Sequence, residues 1–148
     1  MNRTRRAAAH QPRQRVFVFD SEALAKAVQG DREIAALIKT APQLDIPIVT
    51  SALTTLEAWN PRDESKQALW SWTLSRIRVV HTDDRVIASA RDMLRNAGLH
   101  GHKYAIDAVL AAVAEREFAS GSETTVFTSD TDDLNQLLAG RPVRVEKV

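Results

Sequence analysis

Short apolar segments alternate with helical ones along most of this chain, and that alternation narrows the possible folds more than any other feature. "RVFVF" at 15–19 reads as a strand, and "SEALAKAVQ" after it reads as a helix stopped by Gly30. "DREIAALIKTA" follows, with Asp31 as its N-cap and Pro42 beyond its end. The strand "IPIVTSA", the helical turn "TTLEAW" halted by Asn60-Pro61 and a helical 63–76 come next, then the strand "IRVVH". "DDRVIASARDMLRNAG" is amphipathic and ends at Gly98, and "HKYAIDAVLAAVAEREF" is a longer helix. The chain closes with the strand "TVFTS", the helix "TDDLNQLLAG" stopped by Gly140, and the strand "VRVEKV". Five strands separated by one or two helices each predict a parallel sheet covered on both faces, an α/β/α sandwich.

Two of these strands end on acids: "VFVFDSEAL" on Asp20 and "TVFTSDTDDL" on Asp130. In open parallel sheets, binding sites form at the carboxyl ends of strands where the strand order reverses. Each acid also has a structural reading. Asp20 can cap the helix that follows it, a role Ser21 could also fill. Glu57 completes Thr54-x-x-Glu57, the spacing of a capping box. Asp107 interrupts "YAIDAVLAAVA", a helix apolar on most faces, and Lys103 four residues earlier is a candidate ion-pair partner. Asp130, Asp132 and Asp133 can charge the first turn of the last helix, and for the latter two that reading is preferred. Taken together, Asp20, Glu57, Asp107 and Asp130 each follow a strand or face inward from a helix, so they can converge. Their mutual repulsion would then destabilise the fold unless a cation offset it. Oxygen ligands suit Mg²⁺ or Mn²⁺, and without cysteines or a histidine pair there is no zinc alternative.

Composition bounds the partners. The 148 residues are of ordinary globular make-up, 44% apolar and 26% charged, which makes one domain the simplest reading. The net charge of +1 hides an asymmetry. Residues 1–15 hold five arginines and no acid, leaving 15 basic and 19 acidic side chains in the rest. A nucleic-acid binder relying on a broad basic face would not look like this; one that met phosphate through carboxylate-held metal could. Residues 1–14 are expected to be a disordered basic tail that contacts phosphate, and 15–148 a single folded domain. The tail lacks the apolar core of a signal peptide, and no apolar run nears the roughly 18 residues that span a bilayer, so no membrane role is expected. The absence of cysteine fits a cytoplasmic location.

The segments "VFDSEAL", "SALTTLEAW", "HGHKYAIDAVLAAVA" and "TVFTSDTDDL", in this order and spacing, resemble the PIN-domain family, and within it the VapC-like toxins of bacterial toxin–antitoxin pairs. The resemblance spans 15–148 and implies a five-stranded parallel sheet in an α/β/α sandwich. It further implies a ribonuclease whose acids, here Asp20, Glu57, Asp107 and Asp130, bind one or two divalent ions and yield 5′-phosphate and 3′-hydroxyl ends. Ser129 or Thr128 falls on the family's hydroxyl position, and Asp133 on an outer-shell position. Lys103 or His102, from the "HGHK" run, is placed to meet substrate phosphate. Glu22 departs from the small polar residue usual two positions after the first acid, so it either adds an outer ligand or points away. A cognate antitoxin whose arginine enters the acid pocket is implied as partner.

Other functions compete with this one. The scaffold could be a catalytically inactive PIN-like binding module, or a nuclease that processes RNA without being a toxin. A haloacid dehalogenase-like enzyme needs D-x-D where this chain has Asp20-Ser21-Glu22, and a receiver domain needs an aspartate ending the third strand. Three of the eight aromatic residues, Trp59, Trp70 and Trp72, lie between the second and third strands. Trp70 and Trp72 cannot share a helix face, so at least one is expected at the surface, as part of a homodimer or antitoxin interface.

Overall fold

The computed structural model describes residues 13–148, so the arginine-rich 1–12 lie outside the described residues. The strands are β1 (Arg15–Phe19), β2 (Ile48–Ser51), β3 (Arg78–Val80), β4 (Glu123–Thr128) and β5 (Arg144–Lys147). They form one sheet in the order β3-β2-β1-β4-β5, and every neighbouring pair is parallel. The longest register joins β1 to β4, from Arg15 opposite Glu123 to Phe19 opposite Phe127. The helices are α1 (Ser21–Gln29), α2 (Arg32–Thr40), α3 (Ala52–Ala58), α4 (Gln67–Ser75), α5 (Asp84–Ala97), α6 (Gly101–Ala119) and α7 (Thr131–Leu137).

The period-two alternation of β1 sorts the core into two layers. Val16 and Val18 face a cluster with α5, α6 and α7 that includes Met93, Leu110, Leu134 and Leu137. Phe17 and Phe19 face the opposite layer, with Leu24 of α1, Ile34 and Ile38 of α2, and partly buried Trp72 of α4. Phe127 packs edge-on against both phenylalanines, with ring centroids 5.0 and 5.7 Å away. Phe19 is fully buried, and truncating such a side chain to alanine costs about 3–5 kcal/mol. The structure is therefore the three-layer α/β/α sandwich that the sequence predicts.

Helix ends follow sequence closely where a glycine takes the left-handed conformation. Gly30 (φ 82°) ends α1 and Gly98 (φ 67°) ends α5, in each case donating its N–H back into the last turn. The last helix departs from expectation, because α7 stops at Leu137 rather than running on to Gly140. Arg141 N–H bonds to Leu138 carbonyl there, so a turn replaces the final helical residues. Residues 63–76 are also split, into a 3₁₀ turn at Glu64–Lys66 and then α4.

The topology sets the place of any site. The chain runs β1→β2→β3 in one direction across the sheet, then returns to add β4 on the other side of β1. Strand order thus reverses between β1 and β4, and a crevice opens beyond their carboxyl ends. Asp20 directly follows β1, and Asp130 lies two residues beyond the end of β4. Because α6 leads into β4, its N-terminal part lies at the same edge of the sheet.

Candidate active site

Asp20 is 6% exposed and both of its carboxylate oxygens are engaged. Oδ1 accepts the Ala23 N–H at 2.8 Å, which makes Asp20 the N-cap of α1, and Oδ2 accepts the Ser129 N–H at 3.3 Å. The Thr128 hydroxyl also bonds to it. Burial pushes this carboxyl above its usual range, against the pull of the Thr128 hydroxyl and the N–H groups of Ala23, Ser129 and Glu22. The capping reading is therefore correct for Asp20, and Ser21 does not share it. The same carboxylate ties the end of β1 to the end of β4.

Asp130 plays the matching part for α7: its Oδ1 accepts the Asp133 N–H at 3.3 Å. Its own N–H donates to the Thr128 hydroxyl oxygen at 3.0 Å. Thr128 is fully buried and so links the two strand-end acids, accepting from Asp130 and bonding to Asp20. Ser129 is exposed and contributes its backbone N–H to Asp20. Of the two hydroxyl candidates, Thr128 is the one built between the acids.

Glu57 stands on the last turn of α3 and is exposed. The capping box anticipated at Thr54 does not form. Ser51 is the N-cap, accepting the Thr54 N–H at 3.1 Å and bonding the Thr54 hydroxyl at 2.7 Å. The helix begins three residues earlier than that spacing required, so Glu57 falls at its C-terminal end. There Oε1 accepts a hydrogen bond from the Ser21 hydroxyl, across 36 residues of sequence.

Asp107 is half-buried, immediately before a run of seven buried residues, Ala108 to Ala114, in α6. Its pKa is pushed from the ordinary 3.8 up to about 6. Burial is the largest cause, and the carboxylates of Glu57, Asp133, Asp20 and Asp130 follow in that order. All four lie near enough to Asp107 for their charge to raise its pKa. The pairing with Lys103 considered from the sequence is not made. Among the described residues no ion pair reaches Asp107, and Lys103 lies 5.1 Å from the centre of the Tyr104 ring. Tyr104 raises the Lys103 pKa most, through a hydrogen bond and its charge, and Asp133 and Asp130 add to this.

Asp133 stands in the first turn of α7, as the sequence suggested, and its charge also acts on Asp107. Burial raises the pKa of Asp133, as do the Asp130 side chain bonded to it and the charge beside it, while Lys103 pulls it down. Asp132 is exposed and reaches the group only through Asp133. His102 is exposed on the first turn of α6, and Glu22 is exposed on the first turn of α1, where its charge suits the helix N-terminus. Neither is among the groups acting on Asp107. Among the described residues no three His, Asp or Glu side chains are gathered tightly enough to hold an ion as they stand. The site is thus a set of repelling carboxylates, of which Asp20, Glu57 and Asp130 are each held through a carboxylate oxygen by a hydrogen bond.

Trp70 and Trp72 are both partly buried, so neither is the exposed member expected of that pair, and the surface tryptophan is Trp59. Trp72 packs against the α1–α2 layer, while Trp70 meets Trp59 edge-on at 5.2 Å. Trp59 is 41% exposed and Leu56, beside Glu57, is 72% exposed. No helix among the described residues is long and apolar enough to cross a membrane.

No protein-family model and no curated protein matches the chain. Solved structures do. A chain of VapBC2 from Rickettsia felis, bound to a DNA fragment from the promoter, superposes with a TM-score of 0.65 at 14% identity, over 90% of this chain and 98% of its own. A chain of DNA-bound VapBC from Salmonella typhimurium gives 0.65 at 15% identity, with the same coverage. A chain of a toxin–antitoxin complex from Klebsiella pneumoniae gives 0.59 at 19% identity, over 85% of this chain and 93% of its own. At these identities the likeness is one of fold, and with the strand order β3-β2-β1-β4-β5 it gives this chain the PIN-like α/β fold.

Proposed function

We propose that the chain is an endoribonuclease that works with Mg²⁺ or Mn²⁺, held by Asp20, Glu57, Asp107 and Asp130 with Asp133 and Ser129 around them. The observation that carries this reading is Asp107. A carboxylate half-buried beside four others, and reached by no ion pair among the described residues, leaves a surplus of negative charge at the strand-order reversal. A divalent cation is the group that removes the surplus, and the all-oxygen donor set fits Mg²⁺ or Mn²⁺ better than zinc. The acids must draw together to coordinate it; Asp20 is fixed by the N–H groups it accepts and Glu57 is held at Oε1 by the Ser21 hydroxyl, so exposed Asp130 is the freer of the strand-end acids. When bound, the ion would offset charge on a phosphodiester and lower the pKa of an attacking water. The protein's part is to orient: Thr128 keeps Asp20 and Asp130 in register, and exposed Lys103 offers a cation to the substrate's phosphates.

A toxin role is supported by the fold shared with the Rickettsia felis, Salmonella typhimurium and Klebsiella pneumoniae complexes. An antitoxin would then cover the acid site with a cationic side chain and use exposed Leu56 and Trp59 as apolar anchors. Purified protein should cut RNA with Mg²⁺ or Mn²⁺ and stop when EDTA is added; cleavage undiminished in excess chelator would overturn the metal reading. Expression alone should slow growth, and a co-expressed partner should restore it. An active enzyme that is harmless when expressed alone would leave the nuclease and remove the toxin.

A further inference from the structure

We infer that Ser21 is a positioning residue that aims the Glu57 carboxylate at the metal, an inference that rests on the reading of the acids as a metal site. Serine at the start of a helix ordinarily caps it. Here Asp20 has taken that role, with its Oδ1 on the Ala23 N–H, so the Ser21 hydroxyl is free for another use. It donates to Glu57 Oε1, joining the first residue of α1 to the last turn of α3. The bond caps neither helix: it joins half-buried Ser21 to exposed Glu57.

Glu57 needs such a partner. It is exposed on a seven-residue helix whose cap, Ser51, lies at the far end, and it carries a side chain with three rotatable bonds. Unrestrained, it would spread over many rotamers, and binding a cation would have to collect them. The serine bond holds one arrangement through Oε1 and leaves Oε2 for the ion. Because Ser21 directly follows Asp20, the same bond fixes the spacing between the acid after β1 and the acid after β2. It is the counterpart, on the α3 side, of the Thr128 link between Asp20 and Asp130.

Partners that orient a metal ligand from outside are worth about 10- to 100-fold in metal affinity or activity. Ser21→Ala should therefore weaken Mn²⁺ binding, followed by the electron paramagnetic resonance of the free ion, and lower kcat on RNA by about 10-fold or more. KM for RNA should stay near its original value, the metal-free melting temperature should hold within about 3 °C, and Ser21→Thr should restore both losses. The deciding measurement is a double-mutant cycle. In a Glu57→Gln background, Ser21→Ala should cost less than about 3-fold, because a residue acting only through Glu57 has nothing further to position. Equal losses in both backgrounds, or Ser21→Ala protein that binds Mn²⁺ and turns over like the parent, overturn the inference while the nuclease reading stands. A parent protein that neither binds Mn²⁺ nor cuts RNA overturns the nuclease reading, and the inference with it.

Discussion

Replacing Asp107 by asparagine should make the metal-free protein more stable and the metal-loaded protein less so. The substitution preserves shape and removes a charge that burial and four carboxylates oppose. A rise from 3.8 to about 6 corresponds to about 3 kcal/mol between the two protonation states. Since Asp107 is only half-buried, solvent screening reduces this to about 1–2 kcal/mol. The sign follows from linkage. The folded-state value lies above the unfolded one, so between about pH 4 and 6 the native state holds a proton that the unfolded chain has released. The penalty is absent below pH 3.8 and complete above about 6, so Asp107 makes stability fall as pH rises through that window. For a domain of this size the gain appears as about 2–6 °C in melting temperature, measured by calorimetry in EDTA at pH 8. It should shrink towards zero at pH 4. With Mn²⁺ at about 100 times its dissociation constant the original protein gains about 2.7 kcal/mol and the variant little, so the order reverses. RNA cleavage by the variant should be lost. An Asp107→Asn protein that melts at or below the original in EDTA at pH 8, or a gap unchanged at pH 4, would refute the placing of Asp107 among repelling acids.

Removing residues 2–12 takes away Arg3, Arg5 and Arg6 and spares Arg13, whose guanidinium lies 5.6 Å from the Phe118 ring. If those three arginines meet phosphates of single-stranded RNA, the slope of log affinity against log salt should fall by about 2 in filter-binding titrations, with cleavage at saturating RNA retained. Trp59→Ala should weaken capture of a co-expressed antitoxin by more than about 2 kcal/mol while leaving RNA cleavage in place. Capture at unchanged affinity would move the docking surface elsewhere.

The sheet was legible in the sequence because short β-favouring runs are bounded by helix starts and stops, and a parallel sheet is what such an order can build. Gly30 and Gly98 marked their helix ends correctly because a left-handed residue is a local requirement. Gly140 misled, since it also takes φ 79° but does so in a turn beyond α7. Local spacing failed in the same way at Glu57. Thr54-x-x-Glu57 has the form of a capping box, but Ser51 lies closer to the strand end and takes the cap. The Ser21–Glu57 bond leaves no local signal at all, because its partners are 36 residues apart and are brought together only by α1 packing beside α3. Thr128 was similarly hard to separate from Ser129: the two adjoin at the end of β4, and only the pleat decides which is buried.

The four acids differ in what the fold would lose without them, and that difference bears on the proposed metal site. Asp20 and Asp130 are N-caps, each closing a helix by accepting a backbone N–H, a role worth about 1 kcal/mol whether or not a metal binds. Asparagine caps as well as aspartate, so a purely structural need would leave their charge unexplained, yet their presence alone proves little. Glu57 and Asp107 cap nothing. Glu57 is held by a hydroxyl that could have capped α1, and Asp107 stands against a buried apolar run where an alanine or leucine would pack without an electrostatic penalty. Of the two, Asp107 is opposed in the metal-free fold by burial and by neighbouring carboxylates. A chain that only needed this sandwich would gain nothing from a charge at Asp107, so the proposed cation is argued most strongly from that residue.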